Sequence, residues 1–216
     1  MLDGEPSPKE RIGARRKEAV RLLSLSAISR DSYQAFWDQL GIPYFLRTDA
    51  SDIAWHTRVF ARHAASTTPR VQSRLSPFGV GFQVAVYLPD QEDLFARLCG
   101  YFDSSGLSVL DARVHTTAAG YALDSFLVID PFQSVSYRDR LGLVETGLQE
   151  RLAAKAPLPP LVDARSSRRS RSFPIKPQVE IKPYEKADSF LLSILATIGP
   201  ACSTGLRWCW PSTGSR

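Results

Sequence analysis

Residues 107–130 read LSVLDARVHTTAAGYALDSFLVID, two alternating runs joined by a turn at Gly120. A period of two sends successive side chains to opposite faces, so the stretch predicts a β-hairpin with one apolar face. A hairpin of this kind needs more strands or a helix to cover that face. The neighbouring sequence offers both. GFQVAVYL (81–88) reads as a strand, and PDQEDLFARLCGYFDSSG reads as a helix with Leu94, Phe95, Leu98 and Phe102 as its apolar stripe. After the hairpin, YRDRLGLVETGLQERLAAK has the period of an amphipathic helix. The order β-α-β-β-α lacks one strand of the split β-α-β, ferredoxin-like unit, and QVEIK around Val179 is the candidate. The fold class is therefore α+β, with a ferredoxin-like βαββαβ domain over 81–182.

Upstream, residues 1–66 predict a helical segment. KERIGARRKEAVRLLSLSAI is a basic helix from Pro8 to about Ser29, with a loose stripe of Ile12, Ala19, Leu22 and Leu23. RDSYQAFWDQLG gathers Tyr33, Phe36, Trp37 and Leu40 on one face and stops at Gly41. Asp49, with Asp52 three residues on, reads as a carboxylate capping box for a helix carrying Ile53, Trp55, Val59 and Phe60. ASTTPRVQSRLSPFG breaks the pattern, and 67–80 is read as a linker or edge segment. The helices have no evident closure of their own core.

Composition excludes little else. With 44% hydrophobic and 23% charged residues the chain is globular, and a net charge of +5 permits an acidic partner without demanding one. Three cysteines are no disulfide framework, so a reducing cytoplasm is the expected compartment. No apolar stretch follows the N-terminal charges, and no run is long enough for a bilayer, so neither a signal peptide nor a membrane is expected.

Two stretches, YFLRTDASDIAWHTR and DLFARLCGYFDSSGLSVLDARVHTTAAGYALDSFLVID, carry a family resemblance. Both resemble the C-terminal part of the bacterial protein-PII uridylyltransferases, the bifunctional uridylyl-removing enzymes. That family runs from a nucleotidyltransferase domain through an HD hydrolase domain to two ACT domains. The resemblance covers roughly residues 9–197. It implies that 1–66 is the end of the HD-type region and 81–182 the first ACT domain, with a Pro/Arg-rich loop at 156–173. It also makes SFLLSILAT, within 187–197, the truncated first strand of a second ACT domain. Family members sense glutamine and add UMP to, or remove it from, protein PII, using magnesium. Uridylyl transfer would need a Gly-Ser motif followed by paired acidic metal ligands. This chain has no Gly-Ser pair before Gly214 and no Asp-x-Asp. The hydrolase would need His-Asp, and His56, His63 and His115 are never followed by Asp. Catalytic residues, metal ligands and cofactors of its own are therefore expected to be none, with magnesium belonging to the full-length relatives.

The end of the chain, GPACSTGLRWCWPSTGSR, is unpatterned yet holds Cys202, Trp208, Cys209 and Trp210. Written in permitted codons with one G inserted after Thr197, it rereads as Asp-Arg-Pro-Gly-Leu-Leu-Tyr-Arg, the ACT strand-to-helix pattern. Residues 198–216 are therefore expected to be an out-of-frame, unstructured tail. The apolar strand 189–197, left without its helices, is expected to pair with the first sheet or to self-associate.

ACT domains commonly bind an amino acid near the loop after their first strand. Here that loop supplies Asp90 as a helix N-cap, Gln91 and Glu92 in place of the usual Arg-Pro, Asp93 at the third position, and Leu94. Free N–H groups at the helix start would hold a ligand carboxylate, and a side-chain carboxylate its ammonium. An ordinary cap is the competing reading. Asp111 and Arg113 on the following strand face either a partner domain or solvent. Arg165, Arg168, Arg169 and Arg171 could contact phosphate, but without interleaved aromatics a solvated loop is favoured and nucleic acid is not the expected partner. Two alternatives stay open: a stand-alone ACT ligand-binding or dimerisation module, and a basic nucleic-acid-binding protein.

Overall fold

The computed structural model describes residues 7–24, 26, 28–132 and 135–154, together with the backbone of residues 178–183 and 190–195. Four helices come first: α1 (Pro8–Leu23), α2 (Arg30–Asp38), α3 (Ile42–Arg47) and α4 (Ala50–Phe60), with a 3-10 turn at Ala61–His63. The strands and later helices are β1 (Arg70–Leu75), β2 (Phe82–Pro89), α5 (Leu94–Ser104), β3 (Ser108–Arg113), β4 (Tyr121–Ile129), α6 (Tyr137–Ala153), β5 (Gln178–Pro183) and β6 (Phe190–Leu195). Two units result. The first holds α1 to β2 and β3 to α6, and the second holds α5, β5 and β6.

The basic helix is shorter than its composition suggested. Ser7 and Glu10 form a reciprocal capping box around Pro8, which fixes the start. At the other end the Ser24 hydroxyl donates to the Arg21 carbonyl, and the helix stops at Leu23. The Ser29 side chain then caps α2 by accepting from the Ser32 N–H. Helix α4 starts after Asp49 as expected, but without a side-chain cap. The predicted partner in that cap, Asp52, turns instead toward the sheet.

The main sheet has the order β1-β2-β4-β3, with β2 antiparallel to both of its neighbours. This is the α+β, ferredoxin-like arrangement expected from the hairpin, with β4 inserted between β2 and β3. Its outer strand differs from the expectation. QVEIK does not close the sheet: β5 pairs antiparallel with β6 in a separate two-stranded sheet. The place beside β2 belongs to β1, so of the linker and edge readings of 67–80 the edge strand is the one that forms, over Arg70–Leu75. The turn from β1 to β2 is only residues 76–81, so bringing these two strands together costs little loop entropy.

That short turn depends on Gly81. Its φ is +67°, and a Cβ there would lie 2.2 Å from the Val128 carbonyl oxygen. The backbone of the turn thus lies directly against the end of β4.

The core missing from the helical segment is supplied by the sheet. Phe36, Trp37, Phe45, Ile53, Trp55 and Phe60 form one buried cluster with Ala85 and Tyr87 of β2 and Leu123 of β4. Tyr87 sits at its centre, with ring centroids 5.8 Å from Phe36, 5.6 Å from Phe60 and 5.1 Å from Tyr121. Its hydroxyl donates to the Ala64 carbonyl at 2.8 Å. Each buried ring of this size contributes roughly 1.5–3 kcal/mol, so the helices and this sheet face stand or fall together. Helix α6 buries Val144, Leu148 and Leu152, one helical turn apart. Its Glu145 accepts from the Ser73 N–H at 2.6 Å and the Ser73 hydroxyl at 2.8 Å, which covers part of the free edge of β1.

In the second unit, α5 buries Leu94, Leu98, Cys99 and Phe102, close to the predicted stripe. The 156–173 loop with its arginines and the 198–216 tail lie outside the described residues, as do Cys202, Trp208, Cys209 and Trp210.

Candidate ligand-binding site

Strand β2 ends at Pro89, and Asp90 opens the turn that follows. The Asp90 N–H donates to the Gly120 carbonyl at 2.9 Å, which ties the turn to the β3–β4 loop. One carboxylate oxygen of Asp90, Oδ1, accepts from the Gln91 N–H at 2.9 Å. The other, Oδ2, accepts from the Thr116 hydroxyl at 3.1 Å. Asp90 is therefore not the helix N-cap that the spacing predicted. That position is Asp93, at φ +58° and without a side-chain cap bond. Its backbone is left-handed, a conformation that few non-glycine residues adopt. Gln91 is half-buried, Glu92 is exposed, and Leu94 is buried at the helix start.

The sequence reading passed over the residue that gives this turn its chemistry. Asp124 lies in the middle of β4, opposite Val86 of β2, and is 1% exposed. Its Oδ1 accepts from the His115 N–H at 3.3 Å. Burial pushes its carboxyl up to about 7; the His115 N–H partly offsets this, and the nearby Asp90 adds to it. A signal was present: in YALDSFLVID the period of two puts Asp124 in one stripe with Ala122, Phe126 and Val128, and a carboxylate there breaks the apolar pattern. Asp90 and Thr116 thus form a corner beyond the end of β2, with Asp124 further in along β4 and near enough to Asp90 for their charges to interact.

Asp111 sits apart from this corner. It is exposed on β3 and pairs with Arg113 at 3.3 Å. Arg113 also reaches Asp52 of α4 at 3.3 Å. Asp52 is the hub of a polar cluster beneath the helices: Arg74 of β1 bonds the same carboxylate, Gln83 of β2 donates to it at 3.3 Å, and Arg74 stacks over Trp55 at 4.2 Å. One carboxylate on α4 thereby gathers side chains from three of the four strands.

The three histidines are dispersed. His56 is 2% exposed, and its Nδ1 lies 2.9 Å from the Tyr44 hydroxyl. Burial, with Arg74 and Arg113 nearby, holds it down to about 3, so it is neutral. The Tyr44 hydroxyl is pushed well up by burial, with Asp52 adding to the effect. His115 follows β3, and His63 ends the 3-10 turn; burial lowers both. Among the described residues no three His, Cys, Asp or Glu side chains gather as metal ligands, and no helix is long and apolar enough to cross a membrane.

Comparison with known proteins matches residues 7–59 to the family described as the uridylyltransferase GlnD fifth domain. Bifunctional uridylyltransferase/uridylyl-removing enzymes align with nearly the whole chain. Those from Burkholderia thailandensis strain E264 and Burkholderia mallei strain SAVP1 are each 49% identical over 196 residues, 91% of this chain.

The chain matches a C-terminal portion of these enzymes. It spans 23% of the length of those relatives. Within the uridylyltransferase-related chain, the 7–59 match covers α1 to α4 up to Val59, and the wider alignment continues through the sheet and its candidate corner.

Proposed function

We propose that this chain is a regulatory, amino-acid-sensing region of a uridylyltransferase/uridylyl-removing enzyme, of the ACT type, without catalysis of its own. Glutamine is the proposed ligand. Asp90 and Asp124 would receive its ammonium group, and Gln91 and Glu92, the next residues of the turn, would take its remaining polar groups. Asp111 is proposed to serve the partner-facing side of the sheet instead. In the complete enzyme the region would act in the cytoplasm and bias uridylyl addition to, or removal from, protein PII, with magnesium held by other domains.

The observation that supports this reading best is Asp124. A carboxyl buried at 1% exposure in the middle of a strand is costly to ionise, and a cationic ligand would offset that cost. The paired reading of Asp90 follows from its carboxylate, which is held by one hydroxyl and one N–H and remains open to a further donor.

The test is isothermal titration of L-glutamine into the chain at pH 7.5, with Asp90→Asn and Asp124→Asn alongside. Saturable heat that weakens tenfold or more in either variant is expected, about the loss of one charged hydrogen bond. No heat with any amino acid, or equal affinity in all three proteins, removes the proposal.

A further inference from the structure

One short loop of the first unit touches both the candidate corner and the helical segment. It is the connection from β3 to β4, residues 114–120. Toward the corner, the Thr116 hydroxyl donates to Asp90 at 3.1 Å and the Gly120 carbonyl accepts from the Asp90 N–H at 2.9 Å. Toward the helices, the Ala118 N–H donates to the Gln39 carbonyl, just past α2, at 2.9 Å. The His115 ring centroid lies 5.3 Å from that of Tyr44 on α3. Tyr44 in turn bonds the buried His56 of α4.

The loop is braced internally. The Thr117 N–H donates to the Tyr121 carbonyl at 2.7 Å, and the Tyr121 N–H returns to the Thr117 hydroxyl at 3.0 Å. The Leu123 N–H donates to the His115 carbonyl at 2.7 Å. A loop held in this way shifts as a piece. Its two outer contacts also straddle a boundary, because Gln39, Tyr44 and His56 lie in the stretch 7–59 that matches a family domain of its own, whereas Asp90 does not.

We propose that this loop is a coupling strap. Loss of the Thr116–Asp90 bond, by substitution or by a ligand that takes the Asp90 carboxylate, loosens the strap and is felt at α2 and α3 through Gln39 and Tyr44. The ligand half of this inference rests on the amino-acid reading above; the mechanical half does not.

Hydrogen exchange on the full chain separates them. Thr116 is exposed, so Thr116→Val removes the hydroxyl without a packing change, and Thr116→Ser retains it. In Thr116→Val, amides of residues 36–47 should exchange about fivefold faster, the scale of one lost hydrogen bond. Those of α1 and of residues 70–88 should be unchanged, and Thr116→Ser should match wild type. Changes confined to residues 90–91 and 115–122 would overturn the strap. L-glutamine added to wild type should alter the same 36–47 amides. If the substitution reaches them and glutamine alters no amide, the coupling stands and the amino-acid reading falls.

Discussion

Replacing Asp124 by Asn should make the protein more stable at alkaline pH and change how its stability depends on pH. In the folded chain the carboxyl titrates at about 7 against 3.8 for the free side chain. A raised carboxyl binds more protons folded than unfolded between those values, so wild-type stability falls as pH rises from 3.8 to about 7. His56 acts in the opposite sense. Its folded value of about 3 lies below the ordinary 6.5, so stability is lost as pH falls from 6.5. Between about pH 4 and 6.5 the two slopes, each about 1.4 kcal/mol per pH unit, largely cancel, and wild type should show a nearly flat profile there. Asn keeps the acceptor for the His115 N–H but never ionises. The variant should therefore gain on wild type by about 3 kcal/mol between pH 4.5 and pH 8. At a urea dependence of about 2 kcal/mol per molar, the gap between unfolding midpoints should widen by about 1.5 M. Urea unfolding followed by circular dichroism at pH 4.5, 5.5, 6.5 and 8 reads this directly. A midpoint difference that stays constant across the four pH values would mean that Asp124 ionises freely, and the corner would lose its distinguishing feature.

Other substitutions probe the fold around the corner. Asp52→Ala strands Arg74 and Gln83 beneath α4 and should cost about 2–4 kcal/mol in urea unfolding, somewhat less than the ~3–5 kcal/mol for breaking a fully buried pair because Arg74 is partly exposed. Arg113→Ala removes only a half-exposed partner of the same carboxylate and should cost about 1 kcal/mol or less; equal losses in the two variants would contradict the hub. Gly81→Ala places a Cβ against the Val128 carbonyl at φ +67°, and should lower the melting temperature well beyond Gly79→Ala, which has the same handedness but open space around it. Similar melting temperatures for the two would show that the turn is not packed on β4.

Local pattern alone was sufficient for much of this protein. The alternation in 107–130 determined β3, the turn at Gly120 and β4, because a period of two is a property of neighbouring residues. The stripe ending in Phe102 and the amphipathic period of YRDRLGLVETGLQERLAAK determined α5 and α6 in the same way, and the motifs around them carried the family. The order of the sheet was different. RVQSRL is short and polar, and only pairing with β2 across a six-residue turn makes it a strand, while QVEIK has the better local pattern and pairs elsewhere. The site shows the same division. Asp90 could be singled out from its spacing, but its carboxylate is held by Thr116, 26 residues away. Asp52 looked like half of a cap until Arg74, Gln83 and Arg113 arrived from three strands. Asp124 became costly to ionise only when the packed sheet removed it from water. Electrostatic roles of this kind depend on distance and dielectric in the folded chain, and neither is a function of position along the sequence.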